Sequence, residues 1–154
     1  MNDHYGGGVG DLPRSMVEVV WASRRPMWVA RPGLRLLDFP DHQEADRASL
    51  QRFPQERDAS IVWASVPPAL VISSGRDDER AIADYLREDG DVIVMWDSLA
   101  LPSVLLSAAE AAARVPEIVA TAALLWLYRP DRDLILERNY FEDTVTVARI
   151  PRPG

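Results

Sequence analysis

Residues 125–150 read LWLYRPDRDLILERNYFEDTVTVARI. Apolar runs alternate here with polar breaks. RPDRD is a turn signal, because proline fixes one φ angle and aspartate bonds to its own backbone. LILERNYF is strand-like, and DTVTVARI sets Val145 and Val147 two residues apart before closing at Ile150. Three strands joined by short turns predict an antiparallel meander. That meander decides the fold class, since the rest of the chain adds more strands than helices.

Working outward, EIVATAALLWLY becomes a strand in its later half, while residues 117–123 leave helix and strand both open. PSVLLSAAEAAAR, residues 102–114, predicts a helix that starts at Pro102, presents Leu105, Leu106, Ala109, Ala112 and Ala113 on one face, and ends at Pro116. In REDGDVIVMWDS, the unbroken apolar run Val92–Trp96 predicts a strand covered on both faces, stopped by Asp97-Ser98. SGRDDERAIADYLREDG carries the clearest helix signal. Ser74 and Asp77 have capping spacing, Asp77, Asp78 and Glu79 suit the positive helix start, and Ala81, Ile82, Tyr85 and Leu86 form a stripe. Gly90 falls where a left-handed C-terminal cap is placed.

ASIVWASVPPALVISS predicts two strands across Pro67-Pro68, and DHQEADRASLQRF, residues 41–53, a short exposed helix with Asp41 and Glu44 at capping-box spacing. Short strands are expected around 16–22, 27–30 and 34–37, and residues 1–14 form a glycine-rich flexible tail. The expectation is a single α+β domain over residues 15–154, a mostly antiparallel sheet with two or three helices packed on it.

Composition narrows the chemistry. The 154 residues include no cysteine, and all 17 basic residues are arginine. Disulfides, thiolate metal sites, Cys nucleophiles, Schiff-base lysines and phosphate-loop lysines are therefore excluded. The absence of lysine, with abundant Ala, Arg, Val and Pro, points to a genome rich in G and C, with selection against a lysine-directed modification or degradation tag as the alternative. A net charge of −7 argues against nucleic acid and anionic membrane as partners and favours a basic protein. No apolar run approaches the length of a membrane span, and the N-terminal residues lack the pattern of a secretory signal, so a cytoplasmic protein is expected. No cofactor and no metal is expected: no Asp-x-Asp-x-Asp-Gly loop is present, and His42 with Asp46 gives only two ligands.

Two sets of residues are candidates for function. Asp97, at a strand end, is the catalytic candidate for an enzyme using carboxylate and arginine chemistry; its alternative role is to cap the following turn or helix. The interface candidates are Trp28 and Arg31, because tryptophan and arginine dominate binding hot spots, with the acidic face Asp77, Asp78 and Glu79.

The strand end VMWDSL, residues 94–99, and the terminal hairpin and last strand resemble small acidic immunity proteins of bacterial polymorphic-toxin loci and inhibitors of secreted or competence nucleases. The resemblance covers residues 91–150, and the first half does not share it. It implies non-enzymatic binding and neutralisation of a cognate toxin, with no catalytic residue to carry over. Two other readings remain beside it: the enzyme centred on Asp97, and an assembly module whose β edges pair between subunits.

Overall fold

The two turns of the C-terminal meander use the same device. Each is four residues long and ends in an aspartate with a left-handed backbone, Asp133 at φ 52° and Asp143 at φ 53°. Aspartate tolerates that conformation better than most side chains. Arg132 N–H donates to the Arg129 carbonyl across the first turn at 3.1 Å, and Asp143 N–H to the Tyr140 carbonyl across the second at 3.2 Å. The structure, a computed structural model, describes residues 33–97 and 101–153.

Seven strands are described: β1 (Arg35–Leu36), β2 (Val71–Arg76), β3 (Asp91–Trp96), β4 (Val104–Ser107), β5 (Leu124–Arg129), β6 (Leu134–Asn139) and β7 (Thr144–Arg149). Four α-helices join them: α1 (Phe39–Ala48), α2 (Glu79–Tyr85), α3 (Ala108–Ala112) and α4 (Val115–Thr121). The strands form one antiparallel sheet in the order β1-β4-β3-β5-β6-β7-β2. The expected single-domain α+β architecture is observed.

Strand alternation divides the core in two. Val92, Val94, Trp96, Leu125, Leu127, Leu136, Val145 and Val147 belong to one cluster, with Ile82 and Leu86 of the α2 region, Ala108 and Ala111 of α3, and Ile118 of α4. Ile93, Met95, Leu124, Trp126, Tyr128, Ile135 and Ala148 belong to the other, with Ala45 of α1, Leu50, Phe53, Ile61 and Val66. Helices cover the first face. One helix and an irregular segment, residues 49–70, cover the second. The central strands are therefore dry on both sides, and Val92–Trp96 is buried throughout, as its apolar run predicts. β2 differs: it is the outer strand beside β7, and Ile72–Arg76 are exposed.

Several local expectations are corrected. The helix expected at 41–53 begins at Phe39, because Asp38 rather than Asp41 is its cap; Asp38 Oδ1 accepts from Asp41 N–H at 2.9 Å. It ends at Ala48, and a 3-10 turn, Leu50–Arg52, follows. Its His42 and Ala45 are buried. Of the two strands expected around Pro67-Pro68, only β2 forms. The earlier run makes a single bridge, Gln55 to Ile61, and a 3-10 turn at Trp63–Ser65; a second 3-10 turn, Pro68–Leu70, leads into β2. α2 is capped by Asp78, whose carboxylate accepts from Arg80 N–H at 2.9 Å; Ser74 lies in β2. α2 ends with Leu86 as its cap, so Gly90, at φ 128°, belongs to the turn into β3 instead. Pro102 starts no helix. Leu105 and Leu106 lie in β4, paired with β3, and α3 begins only after Ser107, whose hydroxyl accepts from Glu110 N–H. Pro116 opens α4 rather than ending a helix, so the residues left open at 117–123 are helical through Thr121. The tail at 1–14 and the strands expected at 16–22 and 27–30 lie outside the described residues; the one expected at 34–37 is the two-residue β1.

Candidate functional site

β6 carries two consecutive buried charges, Glu137 and Arg138, which alternation sends to opposite faces. A lone buried charge is costly, so each needs partners. Arg138 lies on the face of α4. Its guanidinium meets the Asp77 carboxylate at 2.8 Å and donates to the Val119 and Ala122 carbonyls, each at 3.1 Å, at the end of α4. Glu137 lies on the other face. Its Oε2 accepts from Ile61 N–H at 2.7 Å and Trp126 Nε1–H at 2.9 Å, and its Oε1 from Trp63 Nε1–H at 2.8 Å. Burial pushes the Glu137 carboxyl above its ordinary pKa, and the three N–H donors hold it back. Glu137 thus ties the irregular segment 54–66 to the sheet.

Between that segment and the sheet runs a groove of about 930 Å³. Its floor is Glu137, Thr146 and Ser74, from three neighbouring strands, with the Ser74 and Thr146 hydroxyls 2.9 Å apart. Its wall includes Glu56, Asp58, Ser60 and Trp63, and Phe141 and Glu142 of the β6–β7 turn stand at its end. Three exposed carboxylates, Glu56, Asp58 and Glu142, face one arginine, Arg57. Hydrogen bonds from Ser60 hold the Asp58 carboxyl below its ordinary pKa, so it is ionised at neutral pH. Tyr140 and Phe141 are 61% and 75% exposed and meet edge to face, their centroids 6.1 Å apart. Two adjacent exposed aromatics on a tight turn are an uncommon use of apolar surface. The outer edge of β2 adjoins the groove through Ser74 and exposes Ile72 to 49%.

The residues singled out in the sequence fall in different places. Trp28 and Arg31 lie outside the described residues. Asp77 is not a free surface charge, because Arg138 holds it in a mostly buried ion pair. Asp78 caps α2, and Glu79 is exposed in its first turn. Asp97 is exposed just beyond β3, and its N–H donates to the Leu124 carbonyl at 3.1 Å. His42 turns inward: its Nδ1 lies 2.8 Å from Ser103 Oγ, and burial lowers its pKa. Among the described residues, no three His, Cys, Asp or Glu side chains gather in a way that could hold a metal ion, and no helix is long and apolar enough to cross a membrane.

Reasoning from sequence missed Glu137, Tyr140 and Phe141. Adjacent aromatics inside a turn flanked by Asn139, Glu142 and Asp143 are a usable signal, because a turn does not bury them. Glu137 has no such signal, since its donors Ile61 and Trp63 lie more than 70 positions away. No protein-family model matches the chain, and comparison with curated proteins finds no match.

Proposed function

We propose that this chain is a non-enzymatic protein-binding domain that neutralises a basic bacterial toxin, docking it along the acidic groove and the aromatic turn beside it. One observation carries the reading: Phe141 stands exposed at the end of a groove edged by Glu56, Asp58 and Glu142, with exposed Tyr140 against it. Exposed aromatics supply the anchors of an interface, and the surrounding carboxylates select a basic partner and speed its approach. Support also comes from where the buried charges are spent. Glu137 bonds the covering segment on one face, and Arg138 bonds Asp77 and the end of α4 on the other, which is structural work. The net charge of −7 and the resemblance of residues 91–150 to immunity proteins point the same way.

The test is isolation of partners from the native cell by wild-type chain and by a Tyr140→Ser, Phe141→Ser variant, followed by kinetics with the purified partner. The expected partner is basic and growth-inhibiting, and co-expression of this chain relieves the inhibition. The double variant weakens binding by about thirtyfold or more, the scale of a hot-spot loss. The on-rate falls with ionic strength as screening shortens the field to about 8 Å at physiological salt. An acidic partner, or full affinity in the double variant, refutes the reading.

The open edge of β2 favours a second reading, an assembly module pairing through that edge. It predicts a concentration-dependent oligomer in the pure protein, abolished by a proline in β2. The like charge of two grooves brought together works against it.

A further inference from the structure

We propose that a second cleft, at the end of β6 away from the groove, binds the phosphate group of a small phosphorylated molecule. This inference is independent of the reading above. Four arginines, Arg52, Arg132, Arg149 and Arg152, line one cleft of about 360 Å³, and the one carboxylate lining it is Asp133. That concentration of positive charge stands out in a chain with a net charge of −7. Arg52 is held by the Arg47 and Pro151 carbonyls, each at 3.4 Å, and Arg132 by Glu88 and by the Asp89 carbonyl at 3.1 Å. The side chains of Arg149 and Arg152 have no hydrogen-bond or ion-pair partner among the described residues.

Tyr128 adds a donor. Its ring packs into the wall of the same cleft, 6% exposed, while its hydroxyl reaches the solvent of the cleft and bonds to no other described residue. The cleft therefore collects donors, four guanidinium groups and a phenol, against a single acceptor group. Such a set fits a ligand that only accepts, and the planar guanidinium fork matches phosphate oxygens two at a time. Asp133, Glu88 paired with Arg132, and nearby Glu44 offset part of this charge, which leaves the Arg149 and Arg152 forks to take the phosphate oxygens. The volume sits at the low end for small-molecule sites, and Ala48, Ile150 and Pro151 offer an apolar wall for the rest of the ligand. A long polyanion is disfavoured by the charge of the whole chain.

The experiment is calorimetric titration of the full chain with inorganic phosphate, against chloride at matched ionic strength. Saturable binding of one phosphate per chain is expected, with no heat from chloride. Arg149→Ala with Arg152→Ala should weaken it at least about tenfold, since hydrogen bonds to charged groups are the strong ones. Tyr128→Phe should weaken it several-fold while leaving the thermal midpoint close to wild type. Affinity should rise from about pH 5.5 to about pH 7.5, as phosphate takes up its second negative charge. The charged groups facing the cleft are the four arginines, Asp133 and nearby Glu44. Absence of saturable binding overturns the proposal, and so does phosphate affinity unchanged in the double arginine variant. Binding only to vesicles of phosphatidic acid, with none of free phosphate, overturns it too.

Discussion

Replacing Glu137 by Gln tests whether one carboxylate fastens the wall of the groove to the sheet. The wild-type carboxylate accepts three N–H bonds, two at Oε2 and one at Oε1. A glutamine keeps one acceptor oxygen. Placed at the Oε2 position, it retains Ile61 and Trp126 as neutral bonds and turns its NH₂ against the Trp63 indole N–H. The other orientation loses two bonds instead of one. Exchanging charge-assisted bonds for neutral ones costs about 1 kcal/mol each, and leaving a buried donor unmet costs about 1–3 kcal/mol. Relief of the carboxylate's own desolvation returns part of this, so the expected net loss is about 2–4 kcal/mol. For a chain of this size that is a fall in Tm of about 5–15 °C. Chemical denaturation followed by tryptophan fluorescence measures it, and the Ile61 amide should exchange its hydrogen faster. The pH dependence has a definite sign. Folding raises the Glu137 pKa, so its protonated form is favoured in the native state. That contribution is complete below the unfolded value, near 4.5, and is lost as pH rises through the folded pKa. The deficit of Glu137→Gln should therefore shrink from acid to neutral pH. A loss under about 1 kcal/mol, or a deficit that grows with pH, refutes the reasoning.

Three further substitutions and one double variant probe the frame. Gly90→Ala should cost about 2 kcal/mol or more, because φ 128° is strained for any side chain and the added Cβ falls on the Asp131 carboxylate, 3.0 Å from buried Arg129 Nη2. Gly75→Ala in β2 meets nothing within 4 Å and should be neutral or stabilise by about 0.5 kcal/mol; thermal unfolding of the pair separates conformational strain from a general cost of filling space. Asp77→Ala should cost about 3 kcal/mol, because it leaves the Arg138 guanidinium buried beside the Val119 and Ala122 carbonyls alone, and adding Arg138→Met should recover part of that loss in equilibrium denaturation.

The parts of the fold legible in the sequence are those whose signal is local. β5, β6 and β7 announce themselves through apolar runs and aspartate-closed turns, and β3 through five consecutive apolar residues. β4 was illegible because four strand residues lead straight into an alanine-rich helix, and the Leu105-Leu106 pair fits either periodicity. Pro116 has two meanings, first-turn residue and helix stop, and only the packing of Val115 and Ile118 against the sheet decides between them. The candidate site was the least legible. A Glu-Arg pair inside a strand looks like a solvated face, and only the covering layers reveal that both side chains are buried. Asp77 was misplaced for the same reason: its partner Arg138 lies 61 positions away.

The two charges of β6 also explain how the groove keeps its shape without a regular element in its wall. Residues 54–66 contain one isolated bridge and one 3-10 turn, too little backbone pairing to hold a shape alone. Glu137 supplies the missing anchor by binding a backbone amide and an indole of that segment, while the same carboxylate grips Trp126 in the sheet. One position over, Arg138 fixes the end of α4 and, through Asp77, the junction of β2 with α2, which steadies the edge strand beside the groove. Asp143 adds to this junction: its side chain accepts from Arg76 Nε–H at 3.1 Å and its carbonyl from Asp77 N–H at 3.1 Å. Wall, floor and edge are thus fastened to one strand from opposite faces. A surface ordered in advance spends little of its binding energy on ordering itself. Buried charge is weak evidence for stability, but here it accounts for the geometry of the groove.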